Sequence, residues 1–178
     1  MAVDLSNAQR EMSVGHIGGA PGVLMSGMAW LVAGVAWLRY GVDTGFATLF
    51  IGGMLIVPGA LLIAKVLAAP RVAPSNPLNR LALENTVVLF AALLIGYLLL
   101  RTSPALTFPA LAIVIGARYF SFRTLYGNAV YWALGAAMSG AGALAALGRL
   151  PPAINLALLV GAIEVLFAAL IWFARRTQ

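Results

Sequence analysis

Cysteine is absent from this sequence, histidine occurs once, as His16, and lysine once, as Lys65. Without cysteine there is no disulfide, no thiolate nucleophile, no cysteine-ligated zinc and no iron–sulfur cluster. One imidazole cannot build a zinc site of two or three histidines, nor the metalloprotease and carboxylate–histidine di-iron patterns. No metal and no cofactor is therefore expected. The single lysine belongs to no Gly-rich phosphate loop. Gly18, Gly19 and Gly22 do not follow a strand, so they are not a dinucleotide fingerprint. Charge is scarce too: 9% of residues carry it, against roughly a quarter in an average soluble domain.

What fills the chain instead is apolar. Of 178 residues, 62% are hydrophobic, more than a water-soluble fold of this size can hide. A bilayer span takes about 20 apolar residues, so six spans would use about two-thirds of the chain. The net charge of +6 reads either as affinity for nucleic acid or anions or as the cytoplasmic bias of a membrane protein. The arginines stand singly between apolar runs, which favours the second and argues against a nucleic-acid partner. The segment before Gly18 carries Asp4, Arg10 and Glu11 and has no apolar core, unlike a cleaved secretory signal.

The pattern predicts an all-α, polytopic membrane bundle forming a single domain over residues 1–178, with six transmembrane helices at about 17–38, 44–67, 81–100, 103–122, 124–147 and 151–173. Pro21 falls in a first turn, where its missing amide proton costs nothing. Pro58 interrupts the second span. Asn76-Pro77 makes a helix-start pair. Six spans place Arg10, Lys65, Arg71, Arg80, Arg118, Arg123, Arg175 and Arg176 on one side, and Arg39, Arg101 and Arg149 on the other. That asymmetry puts both termini in the cytoplasm.

Three fragments recur in order. Arg39-Tyr40 ends span one and Arg118-Tyr119 span four. Phe46 to Phe50 resembles Phe122 to Tyr126. Val88 to Leu93 is repeated as Val165 to Leu170. Either a Leu- and Ala-rich chain repeats itself by chance, or a three-span unit has been duplicated. Three is odd, so such a unit inserts upside down and gives an inverted 3+3 repeat.

Glu164 is the polar residue most in need of explanation. It falls in the middle of span six, where an ionised acid costs about 2.5–3.5 kcal/mol or more. Gly161 and Ala168 share its face, so that face is expected to pack inward. It is either a site for a proton, a cation or a polar solute, or a neutral acid tying helices together. Glu84 and Asn85 lie about one turn inside span three. Glu84 can pair with Arg80 on one helix face or floor a vestibule, and Asn85 can join helices. Arg118, Tyr119, Arg123, Tyr126, Asn128 and Tyr131 form the richest polar cluster. They suit an anionic solute or lipid head group, or merely set topology. His16 reads as a solvated interfacial residue. Ser26 and Ser139 have no histidine at their depth to serve as a base.

The layout also resembles a family of small, uncharacterised bacterial membrane proteins. The pieces that carry the likeness are the polar lead-in before Gly18, Pro58, Asn76-Pro77-Leu78 with Asn85 after it, Gly116-Ala117-Arg118 leading to Leu125-Tyr126, and Glu164. The resemblance implies a six-helix, multi-pass protein of the bacterial inner membrane and assigns no catalytic residue.

The leading expectation is binding or permeation of a small solute or ion between spans three, five and six. Glu84, Asn85, Arg118, Tyr119, Arg123, Tyr126, Tyr131 and Glu164 are the candidate binding residues, and membrane lipids and a small solute the partners. The alternative is a non-transporting helper that contacts lipid or protein and can form a homo-oligomer. An enzyme ranks third, since no acid–base pair with a nucleophile is evident. A solute site predicts a water-filled cavity at Glu164. A helper predicts tight packing there and an exposed face of small residues.

Overall fold

The computed structural model describes residues 4–174, so Arg175 and Arg176 lie outside the described residues. Within them the chain forms seven α-helices: α1 (Leu5–Gly15), α2 (Ala20–Tyr40), α3 (Val42–Val66), α4 (Leu78–Thr102), α5 (Pro104–Tyr126), α6 (Val130–Ala146) and α7 (Leu156–Ala174). Five stretches are long and apolar enough to cross a bilayer: Ile17–Tyr40, Val42–Val66, Leu78–Thr102, Pro104–Tyr126 and Leu156–Ala174. They mark the chain as a membrane protein. The 17 residues of α6 are apolar but shorter, at the lower limit for a span.

The polar lead-in is itself a helix. Asp4 caps α1 by accepting the amide protons of Ser6 and Asn7, as an N-cap carboxylate does. Ala8 and Met12, four apart on one face, are buried against Leu78 and Leu125. A short 3₁₀ turn, Ile17–Gly19, then carries the chain into α2.

Two boundaries differ from the sequence reading. The break expected near Arg123 comes instead at Gly127, whose φ of 69° gives α5 a left-handed cap. Glycine takes that conformation without a Cβ penalty. Arg123 is then a cation in a helix's last turn, where the dipole favours one. Arg118 consequently sits two turns inside α5 rather than at its end. Span six was expected to begin at the prolines Pro151 and Pro152. It begins at Leu156, after Asn155 accepts the Leu158 amide at 3.1 Å, an N-cap bond.

Packing runs in two sets. α2 lies along α3 and α7, α5 lies along α6 and α4, and α3 and α4 hardly touch. The shared core holds Trp30, Phe108, Leu93, Leu111, Leu134, Met138 and Ile171, all buried. Trp37 stacks on Phe108 with centroids 4.6 Å apart, and Trp30 meets the same ring edge-on at 5.9 Å. Between α2 and α7 the backbones themselves meet. A Cβ on Gly161 would lie 2.8 Å from the Leu31 nitrogen and 2.9 Å from the Gly27 carbonyl oxygen. Small residues permit such approach inside a membrane.

The recurring fragments do not all fall in equivalent places. Phe122 to Tyr126 closes α5 instead of opening α6. Leu89 is buried in α4 while its counterpart Leu166 is exposed on α7, so the identical hexapeptides turn different faces to the core.

Candidate functional site

A cavity of about 170 Å³ lies at the α1 end of the bundle. On the same measure a water needs about 10–15 Å³. Its wall takes Met12 and His16 from α1 and the end following it, Gly19 and Gly22 at the start of α2, and Ile56 and Leu61 from α3. Asn85, Thr86 and Leu89 come from α4, and Arg118, Tyr119, Phe122 and Tyr126 from α5. The cavity exists because α3 and α4 stand apart on this side and α1 closes it from beneath. α1 is tied down by polar bonds at both of its edges. Gln9 donates to the Thr124 carbonyl at 2.7 Å, and Asn76 donates to the Ala8 carbonyl at 3.1 Å and to Glu11 at 2.8 Å.

Arg118 is the cation of this chamber. One guanidinium nitrogen donates to the Asn85 carbonyl oxygen at 3.3 Å. Its carbon lies 5.5 Å from the centre of the Phe122 ring and 5.9 Å from that of Tyr119, within cation–π range. Its Nε is buried without a hydrogen-bond partner. The Asn85 side chain donates to the Leu81 carbonyl at 2.9 Å. Its Oδ1 lies 2.7 Å from the Ser121 hydroxyl, which is equally close to the Arg118 carbonyl oxygen. Asn85 thus ties α4 to α5 as well as facing the chamber.

Glu164 is not in the chamber. It is completely buried in the seam between α7, α2 and α5. Its Oε1 accepts from the Ser26 hydroxyl at 2.9 Å and from the Tyr119 hydroxyl at 2.5 Å. Its Oε2 is buried with no partner. Gly161 and Ala168 are buried on the same face. The cavity expected at Glu164 is not found there: the chamber begins one side chain away, where Tyr119 lines it and gives its hydroxyl to the carboxyl group.

The remaining candidates separate. Tyr131 is buried and donates to the Gly18 carbonyl at 2.6 Å, with Tyr119 and Tyr126 stacked on it at 6.1 and 5.6 Å. It holds the start of α2 rather than lining the cavity. Glu84 is exposed and shares none of these contacts. Arg123 is exposed too, its guanidinium 4.9 Å from the Trp132 ring. The expected location between spans three, five and six gives way to one between α3, α4 and α5, because Arg118 lies inside α5. His16, Ser26, Thr86 and Ser121 are the participants that the sequence reading left out of the site. His16 lines the chamber, with Nδ1 3.2 Å from the Met12 carbonyl oxygen and its ring edge-on to Tyr126. A serine beside a glycine carries little signal by itself; only the position of Glu164 gives Ser26 meaning.

Fold and site together define an all-helical membrane protein with a small chamber walled by aromatic rings and one arginine. The chain belongs to a family of unknown function, DUF7010, whose pattern it matches over residues 5–174. No match was found among curated proteins or among solved structures.

Proposed function

We propose that this protein is a six-span bundle that binds a small anionic solute with an apolar body in the chamber above α1. The observation that carries the reading is Arg118, a cation two turns inside a membrane helix that lines a mostly apolar cavity. A charge kept at such depth is costly and marks a functional position by default. A carboxylate would pair with the guanidinium group, while Ile56, Leu89 and Phe122 would hold the rest. The volume suits one small ring or a short branched chain, since an engineered cavity of about 150 Å³ admits benzene.

The charge asymmetry supports α6 as the sixth span and the α1 end as cytoplasmic in an inner membrane. The packing is compatible with an inverted repeat: exchanging α2, α3 and α4 for α5, α6 and α7 turns the α2–α3 and α2–α7 contacts into α5–α6 and α5–α4. Permeation would require Tyr119 and Leu89 to move, because the bundle beyond them is packed solid by Trp30, Leu93 and Phe108.

The helper reading keeps one specific support. Glu164 is tightly packed, and Ala133, Ala136 and Gly140 are exposed on α6, the composition by which membrane helices associate.

Calorimetry on the purified protein distinguishes the two, with benzoate and benzylamine as probes. Benzoate is expected to bind, benzylamine not, and Arg118→Gln to weaken benzoate at least tenfold. The solute reading fails if benzoate does not bind and a cysteine at position 86 stays unlabelled by a hydrophilic maleimide from either side of sealed vesicles. That reagent needs a thiolate and hence water.

A further inference from the structure

A second opening lies at the other end of the same seam. Where α3 and α4 part, away from α1, they leave a groove of about 720 Å³. We propose that it holds one acyl chain of a zwitterionic aminophospholipid, its phosphate on Arg101 and its ammonium on Asp43.

The lining is apolar along its length. Phe46, Ala47, Phe50 and Ile51 come from α3, and Phe90, Leu93, Leu94, Tyr97 and Leu100 from α4. Phe46, Leu93 and Leu100 are buried and form the floor, while Ile51, Phe90, Leu94 and Tyr97 are about half exposed along the rims. Phe46 lies against Gly96, and the Phe46 and Tyr97 rings meet at 6.5 Å, so α3 and α4 touch across the groove's floor. The apolar lining above that floor suits a hydrocarbon chain. At its deep end Gly53 of α3 approaches Leu93 of α4 and closes it.

Length argues the same way. Asp43 to Ile51 on α3 and Phe90 to Arg101 on α4 correspond to about 12–16 Å at the helical rise. One leaflet of the hydrocarbon core is about 15 Å deep. The groove therefore begins at the interface and ends near the midplane, as an acyl chain does.

Its mouth decides the head group. Asp43 lies in the first turn of α3 and Arg101 in the last turn of α4. Both line this groove and both are exposed. Among the described residues neither charge is engaged in an ion pair. A cation and an anion lining one mouth match a phosphate and an ammonium on one molecule. Phosphatidylglycerol would offer Asp43 only neutral hydroxyl donors, with no positive charge to match the carboxylate.

Native mass spectrometry of the detergent-purified protein tests this with phosphatidylethanolamine and phosphatidylglycerol of identical acyl chains. One phosphatidylethanolamine per protomer is expected to survive washing, at least fivefold more than phosphatidylglycerol. Asp43→Asn should erase that preference, and Arg101→Gln should lower retention of both. Ala47→Trp, at an exposed position that fills the slot, should remove the lipid while circular dichroism shows the helices intact. Lipid adducts indifferent to Ala47→Trp, equal retention of the two lipids, or a dimer dissociated by Ala47→Trp would each overturn the proposal. The last would name a second copy of the chain as the occupant. None of these readouts involves the chamber at Arg118, so this inference and the solute reading fail independently.

Discussion

Glu164 sits where an ionised group is costliest, yet its surroundings are built for one oxygen only. Ser26 and Tyr119 both donate to Oε1, and Oε2 is left without a partner. Glutamine retains an acceptor oxygen and the side chain's volume. Glu164→Gln should therefore cost no more than about 1 kcal/mol, given that interhelical hydrogen bonds in membranes average about 0.6 kcal/mol. Alanine removes the acceptor, leaves two buried hydroxyl donors unpaired and opens a cavity between α2, α5 and α7. Together these should cost about 2–4 kcal/mol. Reversible unfolding in mixed micelles measures both. Equal losses for the two variants would show that the hydrogen bonds to Oε1 do not hold the seam. At this scale the sequence is informative about depth and face: a carboxyl four residues from Ala168 and three from Gly161 has to lie on a packed face. It is silent about partners, because Ser26 and Tyr119 lie 138 and 45 residues away in the chain.

α1 shows how an element escapes a reading tuned to long apolar runs. Its apolar face amounts to Ala8 and Met12, so it has too little hydrophobic surface to stand out. Its position rests on polar contacts made across 62 residues or more. The Ala73 amide donates to Glu11 Oε1 at 2.5 Å and the Asn76 side chain to Oε2 at 2.8 Å. Those two bonds, the backbone one first, hold the Glu11 carboxyl below its ordinary value of 4.5. A folded-state value below the unfolded one means the latch contributes at pH above about 4.5 and is lost as pH falls through the lower folded value. Asp4 behaves alike, held down from its ordinary 3.8 mainly by the Ser6 hydroxyl and then by the Asn7 amide, so the N-cap weakens at somewhat lower pH. Hydrogen-exchange protection of the α1 amides, corrected for intrinsic rates, should drop on acidification below pH 4.5 while α2 to α7 keep theirs. Glu11→Gln should lower α1 protection already at neutral pH and keep only the smaller acid step due to Asp4. Protection of α1 that is independent of pH and of Glu11 would mean that Met12 and its apolar neighbours hold the helix unaided. The chamber loses its closure with α1, since Met12 and His16 form part of its wall.

At the scale of the whole molecule, composition and spacing are enough to read an apolar helical bundle, and the boundaries of α2, α3 and α4 fall within a few residues of expectation. The errors around the fourth and fifth expected spans share one physical origin. Paired arginines at 118 and 123 look like a loop, whereas the chain breaks only where Gly127 can adopt the left-handed cap. Moving that one boundary shortens α6 to 17 residues, draws Arg118 into the bundle and relocates the candidate site. The topology can be settled because the chain has no cysteine of its own. Single cysteines at positions 75 and 128, in the loops before α4 and before α6, should react with an impermeant maleimide on the face bearing α1. Cysteines at 41 and 149, after α2 and after α6, should react only from the opposite face. If 149 reacts on the same side as 128, α6 does not cross, the charge asymmetry loses its basis, and the five long helices alone span the membrane. The expected pattern instead requires the 17 residues of α6, about 26 Å of helix, to bridge a core of about 30 Å. That shortfall is small enough for local thinning of the bilayer or snorkelling of the flanking Arg149 to absorb.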